Sequence, residues 1–465
     1  MALHRGSVPD PSSTARGSNP VLTEANPGLG LSLVLPKSRL AEDPVPPDVA
    51  AELIRDELLL DGSARLNLAT FVTTWMEPQA RELMAECVDK NMIDKDEYPQ
   101  TAELERRCIS MLADLWHAPD PEDAAGCSTT GSSEACMLAG LALLRRWRSR
   151  VEDRTRRPNL VMGANVQVCW EKFCRYWDVE PRTVPMEGDR FHLDAATAVA
   201  QCDEDTIGVV AILGSTFDGS YEPVAEICAA LDDLAAGGGP DVQVHVDGAS
   251  GAMVAPFLDT DLVWDFRLDR VASINTSGHK YGLVYPGVGW VLWRDSQALP
   301  EELVFNVNYL GGNMPTFALN FSRPGAEVVA QYYTFFRLGR AGFRAVQQGS
   351  RDVAMFLAGE IGAMTQFRLL SHGDQLPVFA FTTTDAVTSW DVFALSRALR
   401  ERGWQVPAYT FPENREDLSV IRIVCRNGFG HDLAALLLTD LRAAVDQLEE
   451  QAHAVPLSGP SGFHH

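Results

Sequence analysis

Lys280 is the one lysine of this chain that stands where a reactive amine would be useful. It follows His279 in the run Ser-Gly-His-Lys-Tyr-Gly at positions 277–282, shortly before the strand-like segment Val288–Trp293. The other four lysines have charged or polar neighbours: Lys37, Lys90, Lys95 and Lys172. A lysine kept away from water has a lowered pKa and can attack a carbonyl as a free amine. The alternative is a loop lysine without a chemical role.

Asp247 could act together with this lysine. It ends the β-branched segment Val242–Asp247 and is followed by Gly, Ala and Ser, which let a ligand approach the backbone. Open α/β sheets bind ligands at the carboxyl ends of their strands, where Asp247 is expected. Pyridoxal phosphate needs an amine that forms an imine and a carboxylate that keeps its ring nitrogen protonated. The alternative is an aspartate that caps a helix.

Ser132 and Ser133 begin a predicted helix, and Gly131 before them permits a tight turn. Hydroxyls and free amides at a helix N-terminus bind phosphate groups. Serine and threonine are also ordinary helix caps, so this motif alone decides nothing. Together with Lys280 and Asp247 it predicts a site for a phosphorylated cofactor.

The bulk composition excludes several classes of protein. The chain has 465 residues, 46% of them hydrophobic, with a formal net charge of -24 and a pI near 4.8. Such an acidic surface repels phosphate backbones and anionic lipids, so neither nucleic acid nor a membrane is predicted as a partner. No apolar run is long enough for a membrane helix, and the first twenty residues do not resemble a secretory signal. Nine irregularly spaced cysteines predict reduced thiols in a cytoplasmic protein without a metal site.

Short Val- and Ile-rich runs separated by helices predict an α/β fold whose large sheet is mostly parallel and covered on both faces. We expect an N-terminal arm and helix over residues 1–57, a large domain over 58–348, a small C-terminal α/β domain over 349–452 and a tail over 453–465. The predicted strands are Asn159–Met162, Ile207–Leu213, Val242–Asp247, Val271–Asn275, Val288–Trp293, Val378–Thr382 and Val420–Cys425. The predicted helices are Ala50–Leu60, Gln79–Lys90, Thr101–His117, Ser132–Arg150, Pro223–Ala236, Arg323–Ala363, Trp390–Arg402 and His431–Glu450.

Several long segments between Leu58 and Arg426 carry a family likeness: Asp61–Phe71, Trp116–Pro119, Gly131–Ala135, Val263–Arg267 and Glu302–Asn306. With the motifs above, they resemble the pyridoxal-phosphate-dependent glutamate decarboxylases, the bacterial group II enzymes most closely. The resemblance implies the aspartate-aminotransferase-like fold (fold type I), pyridoxal 5'-phosphate as cofactor and active sites shared between two subunits. It also implies conversion of L-glutamate to 4-aminobutanoate (GABA) and carbon dioxide.

The resemblance implies a role for each matching residue toward the cofactor. Lys280 would form the imine, His279 would help to hold the phosphate, and Asp247 would pair with the ring nitrogen. Gln167 and Ala249 would cover the two faces of the ring. The other cofactor contacts would come from Ser132, Ser133, Thr216 and Ser277, with Ser322 donated by the neighbouring subunit.

The resemblance also implies a substrate pocket. Thr70 and Phe71 would line the site of the glutamate side chain, joined by Asn91 and Asp94 from the partner subunit, and Arg422 would bind the α-carboxylate. An aspartate facing a carboxylate repels it unless one of them holds a proton, so Asp94 favours binding at mildly acidic pH. Without the family likeness, Asn91 and Asp94 would be ordinary loop residues and Arg422 a salt-bridged surface group.

Four points stay open at this level. Another reaction on the same scaffold and a catalytically silent binding protein are the rival functions, and the proton donor to Cα is unassigned. At least a homodimer is expected; a hexamer is in doubt because the arm Met1–Pro47 is rich in proline. Residues 445–465 have no basic side chain except histidine, so no calmodulin-binding tail is expected, and His464 or His465 is a candidate for closing the site above the histidine pKa.

Overall fold

The computed structural model describes residues 36–307 and 314–453. Most of the predicted arm, and the candidate closing residues His464 and His465, therefore lie outside the described residues. The chain divides after Gly62 into two compact units. The first contains helix α1, Pro47–Leu58, which starts with a proline at its first position and buries none of its side chains.

A seven-stranded sheet forms the centre of the second unit. Its strands are β1 Gly126–Thr129, β2 Asn159–Gly163, β3 Glu180–Val184, β4 Thr206–Ile212, β5 Val244–Asp247, β6 Val271–Thr276 and β7 Gly289–Trp293. They lie in the order β1-β7-β6-β5-β4-β2-β3. Strand β7 runs in the opposite direction to the other six strands of this sheet, which all run the same way. Every residue of β4, β6 and β7 is buried, as expected for strands covered on both faces of the sheet. The predicted α/β class with a mostly parallel sheet is confirmed.

Helices cover this sheet and connect its strands. They are α2 Pro78–Glu86, α3 Pro99–Leu115, α4 Ser132–Arg150, α5 Val168–Tyr176, α6 Ala195–Ala200, α7 Val224–Ala236 and α8 Ala255–Leu258. Helix α4 has the bounds that its sequence predicts, and it packs against β6 and β7. Helix α2 ends at Glu86, four residues before the predicted end at Lys90.

A second, smaller sheet follows the long helix α9, Ala326–Gly362. Its strands are β10 Phe367–Leu369, β11 Val378–Thr383, β12 Ala408–Thr410 and β13 Ser419–Val424. A separate two-stranded sheet, formed by β8 Phe305–Val307 and β9 Met314–Thr316, precedes α9 in the chain. The order is β10-β11-β13-β12, and all its neighbours are antiparallel. Helices α10 Val392–Glu401 and α11 His431–His453 complete this region.

The expected domain boundary at residues 348 and 349 falls inside α9 and not in a linker. Before it, α9 packs against α2 and α3; from Val353 onward its buried side chains join the core of the small sheet. Gly339 interrupts the helical dihedral angles of α9 with φ 56° and ψ -172°. Leu68, expected in the large domain, also belongs to the small-sheet core. The large-sheet and small-sheet regions therefore share helix α9, and the segment that contains Leu68 packs with the small sheet.

Candidate active site

Lys280 lies in the loop that follows β6, and its backbone is fixed from a distant part of the chain. Thr73 donates from Oγ1 to the carbonyl of Lys280 at 2.6 Å and from its amide to the carbonyl of His279 at 2.7 Å. Lys280 Nζ lies 3.4 Å from Ser250 Oγ. Burial lowers the pKa of Lys280, and the negative charge of Asp247 opposes this shift. The lysine therefore has the surroundings of a nucleophilic amine.

Phe71 brings this lysine and Arg422 to the same place. The centroid of the buried Phe71 ring lies 5.2 Å from Lys280 Nζ and 4.8 Å from the guanidinium carbon of Arg422. Arg422 on β13 donates to the carbonyls of Thr216 at 2.6 Å and Ala69 at 2.7 Å. Its Nε is buried without a hydrogen-bond partner among the described residues. Burial lowers the pKa of Arg422. A buried guanidinium with an unused donor is suited to a carboxylate.

Asp247 ends β5 and is held by four donors. Its Oδ2 accepts a hydrogen bond from Trp170 Nε1 at 2.8 Å and lies 3.6 Å from Cys136 Sγ. Its Oδ1 accepts from Asn275 Nδ2 at 3.3 Å and from the amide of Ala249 at 3.2 Å. These contacts exclude the helix-capping alternative. Trp170 and Asn275 were not identified from the sequence, because neither carries a local motif.

The start of α4 meets the loop of Lys280. A Cβ atom at Gly131 would lie 2.9 Å from His279 Cε1, so the absence of a side chain lets the imidazole pack on this turn. Ser277 is fully buried, and its Oγ has no partner among the described residues. Burial, with a smaller contribution from the charge of Lys280, lowers the pKa of His279 to about 4. The imidazole of His279 thus packs on the turn before the helix N-terminus that carries Ser132 and Ser133, and the hydroxyl of Ser277, two residues before His279, has no partner among the described residues.

Other predicted residues lie at the edge of this arrangement. Gln167 is exposed, and its Oε1 accepts the Cys169 amide at 2.8 Å as the N-cap of α5. Asn91 Nδ2 donates to Ser322 Oγ at 3.3 Å, and Asn91 Oδ1 accepts the Arg323 amide at 3.1 Å. Asp94 is the next turn of the same segment, with its amide bonded to the Asn91 carbonyl. Among the described residues, Asn91 and Ser322 contact each other and not Lys280 or Arg422.

The family model of the pyridoxal-dependent decarboxylase conserved domain matches residues 43–384 of this chain. A glutamate decarboxylase of Aliivibrio fischeri is 52% identical over 442 residues, which cover 94% of this chain and 95% of the relative. The chain belongs to the pyridoxal-dependent decarboxylase family. Glutamate decarboxylase beta of Listeria innocua is 47% identical over 93% of this chain and 95% of its own length.

Solved structures agree with this assignment. The glutamate decarboxylase of Lactobacillus brevis has a TM-score of 0.89 and 47% identity, and the match covers 93% of this chain and 100% of that one. A sphingosine-1-phosphate lyase of Burkholderia pseudomallei has a TM-score of 0.76 at 22% identity, covering 90% of this chain and 94% of that one, which shows a common fold only. The predicted fold type I and membership of this enzyme family are confirmed.

Pyridoxal phosphate is the cofactor of this family of carboxy-lyases, and the residues of this site fit it. The cofactor needs an amine, a carboxylate for its ring nitrogen and donors for its phosphate. Lys280 and Asp247 would supply the first two, and the first turn of α4 together with the Ser277 hydroxyl, which has no partner among the described residues, would supply donors for the third. Between residues 36 and 307 and between 314 and 453, no helix is both long and apolar enough to cross a membrane.

Two further groups of polar residues lie near Asp247. One ligand atom each of Cys136, Cys169 and Asp247 lies within 4.8 Å of the others. Burial raises the pKa of the Cys136 thiol, whereas zinc sites need thiolates and usually four ligands. We therefore interpret Cys136 as a weak hydrogen-bond donor to Asp247 and not as a metal ligand. Glu222, also missed from the sequence, accepts the amides of Ile212 at 2.6 Å and Leu193 at 2.8 Å, although burial raises its pKa to about 7.

Gly289 on β7 offers a test of the close approach at the start of α4. It pairs with Thr129 of β1, and a Cβ atom there would lie 2.5 Å from the carbonyl carbon of Gly131 and 2.8 Å from the amide nitrogen of Ser132. Gly289→Ala is expected to lower the free energy of unfolding by about 1–3 kcal/mol and to weaken cofactor binding, because backbone must move. Urea denaturation and titration with pyridoxal phosphate measure both.

Gly349→Ala is the matched control. Nothing lies within 4 Å of a Cβ at this position in α9, so alanine is expected to be neutral or to stabilise by up to about 1 kcal/mol. Equal stability and equal cofactor affinity of the Gly289→Ala and Gly349→Ala proteins would show that the start of α4 does not require this close approach.

Proposed function

We propose that this protein is a glutamate decarboxylase that converts L-glutamate to 4-aminobutanoate and carbon dioxide with pyridoxal phosphate on Lys280. The observation that carries the proposal is the joint contact of Lys280 and Arg422 with Phe71. It brings a cation for the substrate carboxylate next to the amine that holds the cofactor. The high identity to glutamate decarboxylases over nearly the whole chain supports the choice of substrate.

The roles of the residues follow from their surroundings. The bound cofactor supplies an electron sink for the bond that breaks when carbon dioxide leaves. Arg422 binds the α-carboxylate through the donors that Thr216 and Ala69 leave free, in a buried place where charge attraction is strong. Asp247 stabilises the positive charge of the ring nitrogen. Lys280, positioned by Ser250 and Thr73, would bear the cofactor at Nζ. The neutral imidazole of His279 supports the phosphate without adding a second positive charge beside Lys280.

The remaining cofactor contacts are proposed at the faces and edges of the ring. Ala249 lies next to Asp247 and is assigned to one face, and Gln167 at the start of α5 to the other. Thr216, whose carbonyl holds Arg422, is assigned to the ring edge. The first turn of α4, with Ser132 and Ser133, joins Ser277 at the phosphate.

The substrate pocket is proposed to need two copies of the chain. Thr70 lies beside Phe71, and its Oγ1 accepts the Val72 amide at 3.1 Å. Asn91, Asp94 and Ser322 are assigned to the site of a partner subunit, which is supported by the hydrogen bond of Asn91 with Ser322, while neither of these two bonds Lys280 of the same chain among the described residues. A homodimer with shared sites is the minimal assembly that this requires.

The domain division and the location in the cell belong to the same proposal. The second hydrophobic core, which includes side chains of α9 from Val353 onward, supports a small domain that begins near residue 349. Nine cysteines without a disulfide bond within the described chain support a reducing compartment such as the cytoplasm.

An assay of the purified protein tests the reaction. With pyridoxal phosphate and L-glutamate between pH 4 and 7, we expect 4-aminobutanoate, and with L-aspartate far less decarboxylation. Borohydride is expected to fix the cofactor to the peptide that contains Lys280, and Lys280→Ala to reduce the rate at least about a hundredfold. The exposed Lys172→Ala serves as the control and should retain full activity. Cofactor uptake without 4-aminobutanoate formation would exclude the proposed reaction.

Mixing two impaired variants, assayed at a glutamate concentration well below the raised KM, tests the shared site. One chain carries Lys280→Ala, and the other carries both Asn91→Ala and Asp94→Ala, which should raise the KM for glutamate far more than it lowers cofactor content. In a mixed dimer, one site combines Lys280 of the second chain with Asn91 and Asp94 of the first. Random reassociation should therefore restore about a quarter of the wild-type activity. No restoration, with mixed dimers present by mass spectrometry, would place both sets of residues in the site of a single chain.

A further inference from the structure

Four buried polar side chains, one of them Asp247, share one face of two neighbouring strands. In the parallel register of β5 and β6, His245 lies opposite Ser273 and Asp247 opposite Asn275. Because side chains alternate along a strand, residues two apart share one face of the sheet. All four side chains are at most 4% exposed. Polar groups buried this deeply must satisfy one another.

Three hydrogen bonds connect these side chains in series. His245 Nδ1 lies 2.8 Å from Ser273 Oγ, and His245 Nε2 lies 2.9 Å from Asn275 Oδ1. Asn275 Nδ2 then donates to Asp247 Oδ1 at 3.3 Å. The carboxylate can only accept, so the amide must present its NH₂ group to Asp247 and its oxygen to His245. His245 therefore carries its proton on Nε2 and accepts the Ser273 hydroxyl proton on Nδ1.

The surroundings of His245 keep the imidazole neutral in this arrangement. Its ring is fully buried against Trp170, with the ring centroids 5.1 Å apart. Burial lowers the pKa of His245 to about 4, and the charge of Asp247 opposes part of this shift. A neutral ring with one donor and one acceptor matches the two partners that the strands provide.

The series determines which end of the Asn275 amide faces Asp247. Without a donor at position 245, Asn275 Oδ1 would be buried without a partner, and the amide would shift to find one, which weakens its hydrogen bond to Asp247. The remaining donors to Asp247 are Trp170 Nε1, the Ala249 amide and the weak donor Cys136. Asp247 Oδ1 would then keep only the Ala249 amide, and the carboxylate that is assigned to the ring nitrogen of the cofactor would be held less firmly.

We propose that His245 is a positioning residue that, through Asn275, holds Asp247 in place for the ring nitrogen of pyridoxal phosphate. This inference rests on the proposed role of Asp247. Because the contact involves only the ring nitrogen, loss of His245 should reduce the preference of the protein for a ring that has this nitrogen over a ring that lacks it.

The test compares the binding of pyridoxal phosphate with that of its analogue in which a CH group replaces the ring nitrogen. The wild-type protein should bind pyridoxal phosphate at least about tenfold more tightly than the analogue, because only the natural ring pairs with Asp247. His245→Phe keeps a buried ring but removes the donor, and should reduce this ratio several-fold. His245→Gln can donate to Asn275 and should restore most of it.

The binding ratio separates the possible results. If His245→Phe weakens the binding of both ligands equally and leaves the ratio unchanged, His245 is merely structural and the proposal is overturned. If the wild-type protein does not discriminate between the ligands, the assigned role of Asp247 fails, and the proposal fails with it. If His245→Phe does not fold, the near-isosteric Asn275→Leu, which removes the donor to Asp247, must also reduce the ratio; an unchanged ratio there overturns the proposal as well.

Discussion

Two basic side chains that share one buried aromatic ring are the constraint on which the rest of this site depends. Lys280 and Arg422 both lie within 5.2 Å of the centroid of Phe71, and burial lowers the pKa of each. Contact with an aromatic face returns about 0.5–2 kcal/mol of the solvation energy lost. The larger compensation must come from anions, which a carboxylate substrate and a phosphorylated cofactor supply. The site is built to be completed by negatively charged ligands.

This constraint explains why the small sheet has to dock against the large one. Arg422 belongs to β13 of the small sheet, but its partners are the carbonyl of Thr216 in the loop after β4 and that of Ala69 near Phe71. Each hydrogen bond of this charged group to a carbonyl contributes about 1.5–3 kcal/mol. Arg422, which is assigned to the α-carboxylate of the substrate, is thus positioned by backbone of the region that holds Lys280. A shift of the small sheet would move Arg422 relative to Lys280.

The sequence is most informative where a residue and its structural context are close together in the chain. The start of α4 at Ser132 and the position of Asp247 at the end of β5 follow from local pattern and are found as predicted. The strand β3 is not predicted, because this edge strand contains a proline and is mostly exposed. The donor Trp170, the His245 and Asn275 pair, and the meeting of Phe71 with Arg422 involve residues far apart in sequence, which no periodicity reveals. The family likeness predicts that Arg422 binds the α-carboxylate, and the contacts of Arg422 in the structure explain why this residue is suited to that role.

The most direct measurement of the central claim is the affinity of Arg422→Gln for L-glutamate and for 4-aminobutanoate, which lacks the α-carboxylate. Because the amine and the side-chain carboxylate are common to both ligands, only the contact with Arg422 distinguishes them. The variant should bind L-glutamate about ten- to a hundredfold more weakly than the wild-type protein does, because a charged hydrogen bond contributes about 1.5–3 kcal/mol. Its affinity for 4-aminobutanoate should change little. Equal weakening of both ligands, or of neither, would contradict the assignment of Arg422 to the α-carboxylate.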